Sequence, residues 1–225
     1  GWGFVNVNLR PFYAEGSKTL AFEIAESLGW RTPDVVVAPI ASGALFTKLA
    51  RGFSELAAVG LIDRRAVRFV GGQAAGCGPV AAAWEAGSDT LQPVRVPDTF
   101  VRSLAIGSPA DGADALELAR TTGGSIEAVS DDATAAAIRQ VAALEGIYAE
   151  TAGGVTVAAV AAARERGVIR PGDEVVAVLT GNGLKTPDAR RLGAAEPSAA
   201  PGQPGLAPAI RPTLKAFESW LGGGR

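Results

Sequence analysis

A parallel, three-layer α/β sheet is the fold class this sequence predicts, and three observations predict it. Strand-length apolar runs alternate along the chain with segments whose apolar residues recur at helical spacing. The runs are apolar on successive residues instead of every second one, as in strands covered on both faces. Small residues abound, with 29 glycines in 225 residues, and they let helices close tightly on a sheet.

In chain order, Leu20, Ala21, Ile24, Ala25 and Leu28 share one helical face, which predicts a helix over 15–29 with Gly29 as its stop. Residues 34–40 form a β-branched run of strand length, and Ser42-Gly43 then opens a helix through Leu45, Leu49 and Phe53. Residues 67–71 make a second strand, with the glycine-rich 71–78 expected as a loop and 79–87 as a helix. The stretch 89–111, interrupted by Pro93, Pro97 and Pro109, is expected to cross the surface with at most one short strand.

A helix over 111–120 follows, then a strand over 125–129. Ser130 or Asp131 caps a helix that carries Ile138, Val141 and Ala142 on one face. Another helix covers 154–166, and 174–180 is the clearest buried strand, ending at Gly181-Asn182-Gly183. Residues 1–193 are thus expected as one large α/β domain, 194–210 as a flexible linker rich in Pro, Gly, Ala and Ser, and 211–225 as a C-terminal helical segment. Its helix, over 212–221, is expected to dock through Leu214, Phe217 and Leu221.

Composition narrows the chemistry. The net charge of −2 comes without any basic stripe, which argues against nucleic acid as a partner. No run is long and apolar enough to cross a membrane, and the single Cys77 rules out an intrachain disulfide; the cytoplasm is the expected location. The sequence contains no histidine, which excludes His-based triads and His-ligated zinc, so chemistry here rests on carboxylates, lysine, hydroxyls or a cofactor. No metal site is assigned.

Ligands of a parallel sheet bind beyond the carboxyl ends of its strands, and two of those turns are chemically prepared. Ser42, Gly43, Ala44 and Leu45 join a strand end to a helix start, where free amides and the helix dipole favour a phosphate. Equally, Ser42 caps the helix and Gly43 relieves a tight turn. Thr180 and Gly181 present a hydroxyl beside a glycine at a strand end, facing a ligand or merely terminating the strand. The run 71–76 does not match a dinucleotide fingerprint, and 15–19 lacks the spacing of a phosphate loop, so Lys18 reads as structural. Cys77 reads as an inert thiol, and Asp131, Asp132, Glu145 and Glu150 as ordinary helix-terminal acids.

Five segments together carry a family resemblance over about residues 4–188: 8–24 (NLRPFYAEGSKTLAFEI), 71–77 (GGQAAGC), 103–112 (SLAIGSPADG), 145–150 (EGIYAE) and 180–185 (TGNGLK). They resemble threonine synthase, in that family's order. The resemblance implies the large domain of a fold-type II pyridoxal-phosphate enzyme that turns O-phosphohomoserine and water into threonine and phosphate. It implies that Ser42, Gly43, Ala44 and Leu45 cup the cofactor's phosphate. It also implies that the Thr180 hydroxyl, beside Gly181, bonds the pyridine nitrogen, a neutral partner expected to leave that nitrogen largely unprotonated.

One departure stands out. The family's Schiff-base lysine lies in a motif of the S-F-K-D-R type, and none of Lys18, Lys48, Lys185 or Lys215 has that context, so no catalytic residue is assigned in this chain. The expectation is a C-terminal portion whose lysine and smaller domain lie upstream, leaving an open sheet edge and an apolar patch that this missing part covers. Expected partners are that N-terminal part and a small-molecule substrate, with a homo-oligomer also compatible. A related lyase, such as a cysteate synthase or threonine dehydratase, and a non-catalytic phosphate- or cofactor-binding module stay open as alternatives.

Overall fold

Three consecutive valines set the plan of the molecule. Val35, Val36 and Val37 are fully buried in strand β1 (Val35–Pro39), because a parallel strand with neighbours on both edges and helices on both faces has no route to water. The computed structural model describes residues 11–186, 211 and 213–222, and the chain divides into two units, Gly1–Gly193 and Ala194–Arg225. In the first unit β1 pairs in parallel with β2 (Arg68–Ala74) on one edge and β4 (Val175–Ala177) on the other. Strand β3 (Ser125–Val129) pairs with β2, giving the order β3-β2-β1-β4.

Alternation along β1 divides the core in two. Val36, Ala38 and Ile40 face a layer built from helices α2 (Thr19–Ser27), α3 (Ala44–Ala58), α4 (Pro79–Glu85) and α5 (Gly112–Thr121). Val35 and Val37 face helix α7 (Thr151–Glu165), whose Ala152, Val155, Ala159 and Ala163 form its sheet-side stripe. Helix α6 (Asp131–Glu145) packs on α7 and is capped by Ser130, whose hydroxyl accepts from the Ala133 amide at 3.1 Å. This is the predicted three-layer parallel arrangement.

Four details depart from the sequence reading. The helix expected over 15–29 is two helices, α1 (Pro11–Gly16) and α2, and Leu28 followed by the left-handed Gly29 closes the second. Residues 71–74, expected as a loop, are the second half of β2. Their glycines answer to packing and not to turning: a Cβ on Gly71 would overlap the Ile40 side chain, and one on Gly72 would press on Val155 and Ala159 at about 3.0 Å.

The stretch 89–111 holds a single 3-10 turn, Arg102–Leu104, and no strand among the described residues; Val101 and Leu104 are buried in the α7-side core, so this crossing is partly internal. Strand β4 is also shorter and wetter than expected. Val175 and Val176 are half-buried and Ala177 is exposed, since β4 is an edge strand hydrogen-bonded only to β1 among the described residues. Beside it lies an apolar depression of about 360 Å³ lined by Leu20, Ile24, Leu45 and residues 176–180.

In the second unit, the described residues form helix α8 (Leu214–Gly222), with Phe217 and Trp220 rings stacked 6.2 Å apart and Leu214, Phe217 and Leu221 exposed. The linker expected over 194–210 lies outside the described residues.

Polar groups fix the register at the amino end of the sheet. Arg31 grips the Glu174 carboxylate with both terminal nitrogens, and the Glu174 amide donates to Asp34 Oδ2 at 2.8 Å, tying the entry of β1 to that of β4. Arg68, at the start of β2, donates to Asp173 Oδ1 at 2.6 Å and to the Val168 carbonyl. The Arg68 guanidinium, aided by the Arg170 amide, holds the Asp173 carboxyl below its ordinary range.

A carboxyl depressed in the folded state contributes stability above its unfolded pKa and loses it as pH falls through the folded value. Asp173→Asn is therefore expected to destabilise the chain at neutral pH. The gap from the native protein closes as pH drops through the carboxylate range, as urea midpoints measured between pH 7 and pH 3 will register.

Candidate functional site

At the carboxyl end of β1 the chain leaves the sheet through Ile40 and Ala41 and turns into α3. Gly43 is the N-terminal residue of that turn, with φ +95°, a conformation glycine adopts without strain. A Cβ there would also come within 2.5 Å of the Asp111 carbonyl oxygen, so backbone closes on backbone. The Asp111 amide donates to the Ser42 carbonyl at 2.8 Å and clamps the same turn from outside. The Ser42 hydroxyl accepts from the Ala44 amide at 3.3 Å, and the first bond of the helix ladder runs from the Thr47 amide to the Gly43 carbonyl. The neighbouring first-turn amides have no acceptor within the helix and point off its positive end.

The second prepared turn arrives from β4. The Glu150 amide donates to the Gly181 carbonyl at 3.0 Å, Ala149 and Asn182 form an antiparallel bridge, and the Gly183 amide donates to the Tyr148 carbonyl at 2.8 Å. Segment 148–150 is thereby zipped to 181–183. Neither glycine in the strip has room for a side chain: a Cβ on Gly181 would overlap the Glu150 carboxylate, and one on Gly183 the Tyr148 ring. Thr180 is held beside Glu150, and its Oγ1 donates to Glu150 Oε1 at 3.2 Å.

The two turns meet in one cavity of about 220 Å³. Ser42, Gly43, Ala44 and Leu45 line it together with Thr180, while Tyr13, Ser103, Leu104 and Glu150 close other parts of the wall. Of the six residues singled out from sequence, five share this wall. Gly181 serves it from behind, by making room for Glu150.

The arrangement suits a phosphorylated pyridine in three respects: amides at the start of a 15-residue helix for the phosphate, a hydroxyl for the ring nitrogen, and a largely apolar wall between. No lysine lines it among the described residues. Lys18 is buried elsewhere, its Nζ 2.5 Å from Glu15 and 2.7 Å from Glu55, and these carboxylates raise its pKa. Cys77 is a buried free thiol whose pKa burial pushes up. Among the described residues no group of three or more carboxylate or thiol side chains is placed to hold a metal.

Residues 1–181 match the family model described as pyridoxal-phosphate dependent enzyme. The chain belongs to that family. Threonine synthase of Methanocaldococcus jannaschii is 34% identical over 190 residues, which make up 84% of this chain and 47% of that protein. Two solved structures share the fold. The L-serine ammonia-lyase of Rhizomucor miehei superposes with a TM-score of 0.66 at 21% identity, covering 81% of this chain and 57% of that one. Pyridoxal-phosphate-bound threonine synthase from Brucella melitensis gives 0.63 at 17% identity, with 84% and 44% covered.

The fold is thus that of the fold-type II pyridoxal-phosphate enzymes, and pyridoxal phosphate is the family's cofactor. The chain spans about half the length of the curated relatives it matches. No helix among the described residues is long and apolar enough to cross a membrane.

Glu150 is the candidate whose place the residue-by-residue reading missed. Its position predicts an ordinary helix-terminal acid, yet it is 7% exposed and lines the cavity. It ends the resemblance segment 145–150, but nothing local shows its burial, which depends on Gly181, 31 residues further on.

Gly43→Ala tests the cup with an internal control. Gly87, also left-handed at φ +61°, has nothing within 4 Å of the place a Cβ would occupy, so Gly87→Ala is expected to cost only the backbone term of about 1 kcal/mol. Gly43→Ala adds the collision with Asp111 and should lower the urea midpoint clearly further.

Proposed function

We propose that this chain is the cofactor-binding part of a threonine synthase, which converts O-phosphohomoserine and water into threonine and phosphate. One observation carries the reading: the amides at the start of α3 and the Thr180 hydroxyl line a single cavity, in a chain 34% identical to a threonine synthase over 190 residues. In this reading Ser42, Gly43, Ala44 and Leu45 hold the cofactor phosphate, Thr180 contacts the ring nitrogen, and Gly181 admits Glu150 behind it. Bound pyridoxal phosphate supplies an electron sink for negative charge that develops on substrate carbon.

The residues of the chain do the positioning. First-turn amides of α3 and its dipole offset the phosphate charge, and Gly43 keeps that approach free of a side chain. Leu45 and Leu104 keep water from the ring. Thr180 would hold the ring at its nitrogen and so help orient the cofactor in the cavity. In this reading the lysine that joins cofactor to protein comes from a segment of the enzyme outside this chain. The wall without a lysine also favours a second reading, a module that binds the cofactor or a phosphate without catalysis.

Assay separates them. The 225-residue chain alone, treated with pyridoxal phosphate and borohydride, should carry no stoichiometric pyridoxyl group on Lys18, Lys48, Lys185 or Lys215, and should release no phosphate from O-phosphohomoserine. Co-expressed with an N-terminal part bearing the lysine motif, it is expected to elute as a soluble complex on size exclusion and to form threonine. Release of ammonia from threonine without threonine formation would point to a dehydratase, and no turnover at all to the binding module. Within the active complex, Thr180→Val should lose roughly 1 to 3 kcal/mol of transition-state stabilisation in kcat/KM, while Thr180→Ser stays near native.

A further inference from the structure

The amino end of the sheet, opposite the turns that form the cofactor cavity, holds a second and larger hollow of about 400 Å³. After α3 the chain crosses the helical layer to reach β2. Ile62 and Val67 are buried at the two ends of that crossing, and Asp63, Arg64, Arg65 and Ala66 between them are exposed. Beneath it Phe53 of α3, Phe69 of β2 and Leu118 of α5 make apolar walls, while Ala50, Ser54 and Ala57 of α3 carry too little side chain to fill the space. The end of α5 is stitched to β2 through the Thr122 hydroxyl, which accepts from the Phe69 amide at 3.2 Å.

Two further observations point to a ligand. Thr32, on the cavity wall, is only 6% exposed, and its Oγ1 is buried without a hydrogen-bond partner among the described residues. Folded chains rarely leave such a group unsatisfied. Arg64 and Arg65, on the rim, take part in no ion pair or side-chain hydrogen bond among the described residues. Thr32 and Arg65 each stand three residues ahead of the register pair Val35 and Arg68, so the orphaned hydroxyl and the free cations arrive at the same end of neighbouring strands. Asp63 is the one acid on the wall, which leaves the rim with two positive charges against one negative. The carboxyl ends of α3 and α5 add partial negative charge inside, and this sets an anion at the rim with its uncharged part within.

We propose that this cavity binds a small carboxylate with an apolar body. A guanidinium matches a carboxylate with two parallel N–H donors and keeps its charge at physiological pH, so Arg64 and Arg65 meet the acid. Thr32 gives its unused hydroxyl proton to the same group. The rings of Phe53 and Phe69 take the apolar part, and the volume falls in the range of small-molecule sites. Helix α3 serves both cavities, its first turn at the cofactor cavity and Ala50 to Ala57 here, but the two share no residue. The proposal is therefore independent of the cofactor reading.

The test titrates the 15N-labelled 225-residue chain with hydrocinnamate, with its neutral amide hydrocinnamamide and with L-phenylalanine. Backbone amide shifts should centre on 62–67, 118–122 and Thr32, with 42–45 and Thr180 unmoved. Hydrocinnamate should bind about tenfold or more tightly than its amide. Replacing both exposed arginines, Arg64→Gln with Arg65→Gln, should bring the acid down to the affinity of the amide and leave the amide unchanged. Thr32→Val should weaken the acid by about threefold or more; the arginine pair carries the test if circular dichroism shows that Thr32→Val does not fold. L-phenylalanine binding more tightly than hydrocinnamate assigns its ammonium to Asp63 and the site to amino acids, and weaker binding assigns the site to simple acids. Equal binding of acid and amide, acid binding untouched by the arginine replacements, shifts confined to the cofactor cavity, or no binding of either acid at about ten millimolar overturns the proposal.

Discussion

Complete burial of β1 is the constraint on which the rest of the molecule depends. A strand with zero exposure at Val35, Val36, Val37 and Ala38 needs a hydrogen-bonded neighbour on each edge and an apolar layer on each face. Strands β2 and β4 meet the first need. The α2–α5 layer and α7 meet the second, and each must come close because the facing strand positions carry small side chains. Glycines at 71 and 72 and the alanine stripe of α7 are consequences of that spacing.

The same constraint places the chemistry. Because β1 is central, its carboxyl end opens between the ends of β2 and β4, and the turn after it is the only way out of the sheet toward α3. Asp111, at the start of α5, and Gly43 from the turn meet backbone to backbone, and the start of α3 lines the cavity. On the neighbouring strand end, Thr180 is positioned by the strip that also brings in Glu150. The cavity wall combines main chain with the polar side chains of Tyr13, Ser42, Ser103, Glu150 and Thr180. Main-chain placement is insensitive to side-chain replacement, whereas the glycines that permit it are not.

Much of this is legible in the sequence, and the failures have physical reasons. Strands β1 and β3 and helices α3, α5 and α6 are written in local periodicity, and their neighbours in space merely fill in behind them. The strand at 71–74 is hidden because glycine signals a turn by its freedom of φ, while here it is used for lack of a Cβ, a property visible only once Ile40 and Val155 are in view. Strand β4 is overrated by its sequence because apolarity reports on faces, and edge position is a matter of pairing. Motif resemblance singles out the turn at 42–45 and Thr180, which the structure brings to one cavity wall, although local residues leave both ambiguous. Glu150 ends the resemblance segment 145–150, but its burial is settled by residues far along the chain.

The pairing of β1 also has a consequence for how the polypeptide first folds. Its β2 partner follows closely in sequence, but the contacts that close its other edge join Asp34 to Glu174, 140 residues apart. At synthesis rates of about 5 to 20 residues per second, β1 emerges from the ribosome and waits on the order of ten seconds before β4 exists. During that interval three valines sit beside an unfilled row of amides and carbonyls. The window for wrong pairing is therefore set by the speed of translation, and not by the stability of the finished sheet.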